Sequence, residues 1–350
     1  MSAPACRACG SARTFLRGSK PGEFLRREFE FHVCPDCGLM FVEPFSGFEI
    51  YDDAYYRGEG PDPYVDYAAE YHDWRGSDRM LEFEDLYRLA AARFGNAAPR
   101  SQKKQSTPTP PPASPTSSPS PQSSTSSSSP PSSTFSPSPQ FSPSSPSPLR
   151  WLDFGCGAGG FLKYLRERGQ VCGRPLDLTG HDVGSYASLL RTTDGFRILD
   201  LDALTREPAG SFDVISLIEV LEHLPSPLAP LQLVARLLRP GGLLLLTTGN
   251  LDSPVARRQG LQYRYCAPEI HVNLYNPRCL ARLYHEVGLV PLPVRYDGAV
   301  RFKVLKSLRH RRATRTAARL ALQFPPFVRL VDRLYGVSAM PCAVKPGAPA

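Results

Sequence analysis

Apolar runs and amphipathic stretches alternate along the second half of the chain. Five short apolar runs are typical of strands, at 151–154, 176–181, 196–199, 212–217 and 243–248. Helical periodicity follows them, beginning near Gly159, Gly184, Leu228 and Pro277. Because strands that lie between two layers of helices pair in parallel, the pattern predicts an α/β fold with a doubly wound, mostly parallel sheet.

Two further patterns flank this alternation. From residue 67 to residue 94, apolar positions recur at three- and four-residue steps, which predicts one or two helices. The runs 294–296 and 342–344 read as a late pair of strands. The basic segment between them, 301–336, reads as two amphipathic helices broken at Pro325 and Pro326.

Residues 98–148 interrupt the chain with a stretch that is almost wholly Ser, Pro, Thr and Gln. Such a composition offers too little apolar surface to offset the entropy lost on ordering. We expect a disordered, partly extended tether, most simply a solvated linker, with docking or phosphorylation as the alternative use.

The net charge of +8 is concentrated in the arginines of 301–333, so it is a local feature. A solvated face on a lid helix is the favoured interpretation. A phosphate-bearing acceptor comes second, and nucleic acid or a membrane surface is less favoured. No apolar run reaches the length of a membrane span and the N-terminus lacks a signal-peptide core, so we expect a cytoplasmic protein.

Four of the nine cysteines form two CxxC pairs near the N-terminus. Cys6 and Cys9 are separated by a spacer of 24 residues from Cys34 and Cys37, which is the spacing of a zinc ribbon. A glycine follows each pair and suits the tight turn that presents two thiolates. Four thiolates close the coordination shell, so the sequence predicts a structural Zn²⁺.

The segment WLDFGCGAGGF at 151–161 joins a strand to a helix through a glycine-rich turn. Gly155, Gly157 and Gly159 let the backbone turn tightly and approach a ligand, while the helix that follows offers free N–H groups. Gly155, Gly157 and Gly160 also satisfy GxGxxG. The turn alone therefore admits a nicotinamide- or flavin-dependent oxidoreductase as well.

Two downstream segments separate these alternatives. GSFDVISLIEVLEHLPSP at 210–227 and LLRPGGLLLLTTGN at 237–250 follow the glycine turn in order. Together the three segments resemble class I S-adenosylmethionine-dependent methyltransferases, whose fold is a Rossmann-like, seven-stranded sheet. The resemblance implies S-adenosylmethionine as the cofactor.

The same resemblance assigns roles to individual residues. Asp153 would neighbour the amino group of the methionine moiety, and Asp182 would accept hydrogen bonds from the ribose, with Asp177 as runner-up. Asp202 and Ala203 would lie near the adenine. After the fourth strand, Ile218 and Glu219 would face the cofactor.

Methyl transfer from a sulfonium is an in-line displacement, so few side chains are obligatory beyond a base for an acceptor that loses a proton. His223 and His271 are the candidates for that base, and Tyr275 or Tyr265 for positioning the acceptor. Glu219, Glu222 and His223 also form an ExxEH segment, which resembles the divalent-metal segment of ubiquinone-pathway and small-RNA methyltransferases. A metal there, with His271 as a fourth ligand, is the less favoured alternative.

The order of the segments resembles a bacterial subfamily with a zinc-binding N-terminal domain that includes sugar C-methyltransferases. We therefore predict a methyltransferase acting on a small polar acceptor, with a sugar or nucleotide-sugar favoured by that resemblance. An NAD-dependent oxidoreductase and a non-catalytic adaptor that binds an anionic partner are the alternatives. The predicted parts are a zinc ribbon (1–48), a helical connector and substrate cover (49–97), the linker (98–148), the methyltransferase domain (149–300), and a basic helical lid with the last strand (301–350).

Overall fold

The structure is a computed structural model that describes residues 3–62, 66–95, 146–308 and 311–347. The predicted Ser/Pro tether lies outside the described residues except for its last three positions, 146–148. The chain segments on either side of the tether belong to one compact unit. The five-part division of the chain stays a prediction.

The predicted parallel sheet is confirmed. Its five parallel strands are β4 (Leu149–Phe154), β6 (Arg174–His181), β7 (Arg197–Leu199), β8 (Phe212–Ile218) and β9 (Leu238–Thr247). Strands β4 and β8 are neighbours, and the strands after each of them continue in opposite directions across the sheet. This is a topological switch point, where ligands of doubly wound sheets bind beyond the carboxyl ends of the strands.

Three further strands complete this sheet. They are a two-residue strand β5 (Gln170–Val171) beside β6, and the antiparallel pair β11 (Val290–Leu292) and β12 (Cys342–Val344) beside β9. The predicted seven strands are thus present, with β5 as an eighth. The strand predicted at 294–296 was misplaced: Val294 and Tyr296 are buried through their side chains, and the Tyr296 hydroxyl donates to the Leu246 carbonyl at 3.0 Å.

Helices cover the sheet, four of them at the predicted places, and the one that begins at Leu201 was not predicted. They are α4 (Gly160–Arg168), α5 (Tyr186–Thr192), α6 (Leu201–Arg206), α7 (Leu228–Leu237) and α9 (Pro277–Glu286). Helix α9 shows why the local sequence suffices: the Asn276 side chain accepts from the Cys279 N–H, and Pro277 occupies the first turn, where its missing N–H costs nothing.

A second, antiparallel sheet is built mainly from the N-terminal segment. Its strands, in spatial order, are β1 (Phe15–Pro21), β2 (Glu28–Val33), β3 (Met40–Glu43) and β10 (Asn273–Leu274). The last of these comes from the segment after β9, which also contains α8 (Pro254–Gln259). The cysteine-bearing segment is therefore joined by backbone pairing to the half of the chain that carries the glycine turn.

The described part of the connector forms three α-helices, α1 (Asp53–Tyr56), α2 (Tyr67–His72) and α3 (Met80–Gly95). Helix α3 buries Phe83, Leu86 and Ala90 in a cluster with Trp151 and Phe161 of the glycine-turn region. Apolar burial of this kind holds the connector against the sheet.

The basic C-terminal segment contains three helices where two were predicted. They are α10 (Asp297–Ser307), α11 (Arg312–Ala321) and α12 (Pro325–Tyr335). The two prolines do separate helices, because they open α12 in its first turn. Among the described residues, no helix is both long and apolar enough to cross a membrane.

Candidate active site

The glycine turn lies at the carboxyl end of β4, at the switch point of the sheet. Gly155 and Gly157 have φ of 79° and 52°, in the left-handed region that glycine adopts without strain. A Cβ on Gly157 would lie 2.6 Å from the ring of Tyr67, and one on Gly155 would lie 2.4 Å from Val220. Gly159, with φ of 76°, caps the start of α4. The turn therefore needs glycine for both conformation and space.

Asp153 is the last polar side chain before the turn, and it is buried. Its carboxylate accepts a hydrogen bond from the Ser216 hydroxyl at 2.7 Å. Burial raises the pKa of Asp153 to about 7, although the hydrogen bond from Ser216 opposes the shift. A cation placed here would hold the carboxylate ionised, which suits the ammonium group expected at this position.

Asp182 follows β6 and reaches the glycine turn. Its two carboxylate oxygens accept hydrogen bonds from the N–H groups of Gly157 at 2.8 Å and Gly184 at 2.7 Å. Asp177, the runner-up, is exposed on β6 opposite Arg150. Of the two candidate acids, Asp182 is the one beside the predicted cofactor site.

One cavity joins several of the predicted cofactor residues, although not Asp153 or Gly159, to the ExxEH segment. Gly155, Gly157, Asp182, Ile218 and Glu219 line it together with His223. Tyrosines of the connector form its other wall, at positions 51, 55, 56 and 67. Helix α2 also places Glu70 against Gly160, so the connector covers the turn.

Asp202 and Ala203 lie apart from this cavity lining. Asp202 is exposed in the first turn of α6, and the half-buried Ala203 donates its N–H to Asp200 at 2.7 Å. Their predicted place beside the adenine stays a prediction.

Glu219 sits directly after β8 with φ of 55°, which is unusual for a residue that is not glycine. The Tyr265 hydroxyl donates to its carboxylate, and the Lys303 ammonium lies 2.7 Å from that hydroxyl and 3.4 Å from Glu219 Oε1. Burial alone would raise the pKa of Glu219, but Lys303 and Tyr265 outweigh it and lower the pKa to about 2. Sequence reasoning missed Lys303, because nothing local links a lysine in α10 to the fourth strand.

Glu222 and His223 lie in a short 3-10 helix, Leu221–His223, and a distant loop brings His271 to them. One ligand atom of each lies within 4.8 Å of the others. Among the described residues, neither carboxylate oxygen of Glu222 accepts a hydrogen bond, and burial raises its pKa well above the usual range. Burial also lowers the pKa of both histidines, so their rings are neutral at pH 7. This donor set fits a divalent cation.

The two histidines are held by different partners. His223 Nδ1 lies 2.9 Å from the Tyr51 hydroxyl of the connector, and His271 Nδ1 lies 3.0 Å from the Tyr265 carbonyl. Tyr275 is buried and donates to the Leu221 carbonyl at 3.0 Å, so it supports the 3-10 helix from behind. The predicted role of Tyr275 in positioning the acceptor stays a prediction. Tyr265, the other candidate, contacts Glu219 and stacks on the ring of His271.

The four cysteines come together in the N-terminal segment. Their sulfur atoms all lie within 4.8 Å of one another, with Cys6 and Cys37 at 3.5 Å and Cys9 and Cys34 at 3.6 Å. Tetrahedral zinc with Zn–S bonds of about 2.3 Å would place its sulfurs roughly 3.8 Å apart. Gly10 and Gly38 close the two turns with φ of 70° and 84°, as their position after each pair predicts. The residues fit a structural zinc ion.

Residues 135–294 match the family model described as a methyltransferase domain. With the glycine turn at the switch point and both flanking acids in place, that match decides the class. This region is an S-adenosylmethionine-dependent methyltransferase domain. The predicted Rossmann-like class is thereby confirmed, and the oxidoreductase alternative loses its support.

Several curated relatives of the methyltransferase domain carry the description ubiquinone biosynthesis O-methyltransferase. The protein from Psychrobacter cryohalolentis is 37% identical over 109 residues, which are 28% of this chain and 40% of that protein. The one from Xanthomonas campestris is 38% identical over 104 residues, or 29% and 43% of the two chains. The chain thus spans less than half the length of these relatives.

Solved structures resemble the chain more distantly. A putative sarcosine dimethylglycine methyltransferase from Galdieria sulphuraria is 17% identical with a TM-score of 0.34, covering 57% of this chain and 76% of its own. The [4+2]-cyclase SpnF is 19% identical with a TM-score of 0.36, covering 58% and 77%. The assignment of the methyltransferase domain rests on the sequence match.

Proposed function

We propose that this protein transfers the methyl group of S-adenosylmethionine to a small polar acceptor. The observation that carries the proposal is the single cavity that joins the glycine turn and Asp182 to His223. A donor bound at the turn and an acceptor beside His223 would meet in the same cavity. Alignment and exclusion of water are the main contributions a protein makes to such a displacement.

We assign the cofactor contacts to Asp153, Gly155, Gly157, Gly159, Asp182 and Glu219. Asp153 would pair with the ammonium group and Asp182 with the ribose hydroxyls. The connector tyrosines would close over the cofactor, because Tyr67 lies against Gly157. This arrangement would shield the sulfonium from water.

His223 is the better placed of the two candidate bases. Its ring lines the cavity, and its Nδ1 is engaged by Tyr51, which leaves Nε2 for the acceptor. His271 lies behind it, with ring centroids 4.9 Å apart. An acceptor hydroxyl or activated C–H beside His223 would lose its proton to that ring as the methyl group arrives.

From its reacting group beside His223, the acceptor would extend into the neighbouring cavity of about 290 Å³ that His271 lines. Lys20, Arg264 and Lys306 face it, but so do Glu23, Asp62 and Glu269. Mixed charge of this kind suits hydrogen bonding to a hydroxylated molecule. We therefore propose that the part of the acceptor bound here is neutral and polyhydroxylated, as in a sugar, whether or not a nucleotide is attached.

A divalent cation at Glu222, His223 and His271 is the second candidate, favoured by the buried and unpartnered carboxylate of Glu222. These three residues would hold the ion, and it would supply Lewis-acid polarisation of an acceptor oxygen. At the N-terminal segment, the four cysteines would hold zinc in a closed shell. That ion would shape the fold and take no part in the reaction.

Calorimetry with S-adenosylmethionine and with NAD tests the cofactor, and turnover on pools of free sugars, sugar nucleotides and phenols tests the acceptor class. We expect micromolar binding of S-adenosylmethionine and product only from the sugar pools. His223→Ala should bind the cofactor unchanged and lose turnover, while His285→Ala, exposed on α9, should match the parent. Binding of NAD alone would overturn the proposal, and cofactor binding without turnover on any pool would favour the adaptor.

A further inference from the structure

Helices α11 and α12 expose a continuous set of large apolar side chains. Each of the five members is between 37% and 66% exposed: Leu320, Phe324, Phe327, Leu330 and Leu334. Phe327, Leu330 and Leu334 recur at steps of three and four residues, which places them on one side of α12. Leu320 lies near the end of α11, and Phe324 lies in the turn before α12. We call this set the apolar stripe.

The stripe is not the face that holds α12 in the fold. That task falls to Val328 and Val331, which are buried in the cluster beneath α10 together with Leu322. Helix α12 therefore has apolar residues on two sides, one packed and one facing water. Several large apolar side chains exposed on neighbouring positions mark a candidate site of interaction.

The charge around the stripe is strongly positive. Residues 311–335 contain six arginines and one acidic residue, Asp332. Arg315 and Arg319 are paired with Asp78 of the connector and so anchor α11. Arg329 and Arg333 are exposed beside the stripe, and no ion pair engages them within the described part of the chain.

We propose that the apolar stripe and its flanking arginines form a docking surface for an anionic lipid membrane. The leucines and phenylalanines would enter the boundary between headgroups and acyl chains, and Arg329 and Arg333 would meet lipid phosphates. An apolar stripe without flanking charge would suit a protein partner equally well. Because Arg329 and Arg333 border this one, it is complementary to an anionic interface. Helix α10 carries Lys303, which contacts Tyr265 and Glu219 of the candidate active site, and it packs on α12. The membrane would therefore lie next to the helices that border that site.

Sedimentation of the full-length protein with vesicles tests this surface. One set of vesicles contains phosphatidylglycerol and phosphatidylcholine, and the other contains phosphatidylcholine alone. We expect binding to the anionic vesicles only, weakened by salt. The pair Leu330→Gln and Leu334→Gln should abolish it, while Leu16→Gln, exposed on β1, should not.

A second pair separates charge from folding defects. Arg329→Gln with Arg333→Gln should weaken partitioning roughly 25-fold, at about fivefold for each arginine, with an unchanged melting temperature. Equal binding to neutral vesicles, or no binding to either set, would overturn the proposal. So would concentration-dependent dimerisation that the leucine pair removes, because the stripe would then be an interface between two copies of this chain.

Discussion

Four cysteine thiols gather from two tight turns near the N-terminus, whereas Glu222 and His223 of a 3-10 helix are joined by His271 from a loop beyond the next strand, β9. The first cluster is held by its own turns, each closed by a glycine. The second depends on neighbours: Tyr51 of the connector engages His223, and the Tyr265 carbonyl engages His271. One donor set is complete and closed, and the other has three members and faces a cavity.

The two clusters are nevertheless joined through the backbone. Val42 of β3 donates to the Val272 carbonyl at 3.0 Å, and Val272 donates to the Glu222 carbonyl at 2.8 Å. Arg278 of α9 also donates to the Asp36 carbonyl in the second cysteine turn at 2.9 Å. The difference teaches that a cluster formed by two local turns here supports a cluster assembled from distant segments. We expect a variant that disrupts the cysteine cluster to disturb the cluster of Glu222, His223 and His271 as well. A variant of the second cluster should leave the first intact.

Cys34→Ser should produce the largest effect. A structural zinc site contributes on the order of 10 kcal/mol, so losing one thiolate should release the ion and unfold the N-terminal sheet. Metal analysis should fall from one zinc per chain to none, and turnover should disappear with it. Cys172→Ser, at an exposed thiol, is the matched control and should keep both. Full turnover in a zinc-free Cys34→Ser protein would contradict the proposal that the cysteine cluster stabilises the active site.

Lys303→Met changes the candidate active site and leaves the cysteine cluster untouched. It removes the ion-pair partner of Glu219 and leaves that half-buried carboxylate with the hydrogen bond from Tyr265, so we expect a loss of about 2 kcal/mol in unfolding free energy at pH 7. Denaturant unfolding measures it. The double variant Lys303→Met with Glu219→Gln should recover most of the loss, and zinc content should stay at the parental value. Equal stability of the single and double variants would contradict the pairing.

Glu222→Gln asks whether the assembled cluster binds a metal at all. The parent should gain melting temperature with Mn²⁺ or Mg²⁺, and the variant should bind about 100-fold more weakly, because a ligand is lost. Without added metal, the variant should be at least as stable as the parent, since the buried carboxyl is replaced by a neutral amide. If neither protein responds to divalent ions, Glu222 only shapes the cavity and the base role of His223 stands alone.

Asp85→Asn probes how the connector holds α10. Asp85 accepts hydrogen bonds from the Gly298 and Ala299 N–H groups at 2.6 and 2.9 Å, and burial raises its pKa to about 7. A raised carboxyl pKa makes folding favour the protonated form, so this stability is lost as the pH rises from about 4 towards 7. The amide keeps the two hydrogen bonds but does not ionise.

The parent should therefore lose about 2 kcal/mol relative to Asp85→Asn between pH 5.5 and pH 7.5. Unfolding curves at the two pH values measure the difference. Asp252→Asn, at an exposed acid, should follow the parent at both. Parallel behaviour of parent and Asp85→Asn would show that Asp85 is already ionised when folded.

The parts that sequence reasoning predicted well are those encoded within one short segment. The five parallel strands, the starts of α7 and α9, and the two cysteine turns each depend on spacing, caps or glycine placement over a few residues. The late strand was misplaced by four residues because the buried Val294 and Tyr296 show the same alternation as a strand while pairing with no neighbour. Lys303 was not predicted as a site residue because its partners, Glu219 and Tyr265, lie on other elements.

The sequence by itself thus determined the doubly wound class, the glycine turn with Asp153 before it, and the cysteine spacing that suits zinc. Only the tertiary structure decided that Asp182 reaches the turn, that Tyr67 covers it, that Lys303 holds Glu219 ionised and that the apolar stripe faces water. The physical reason is the range of the interactions. Turns, caps and periodicity act between near neighbours in the chain, whereas burial and ion pairing depend on which distant segments pack together.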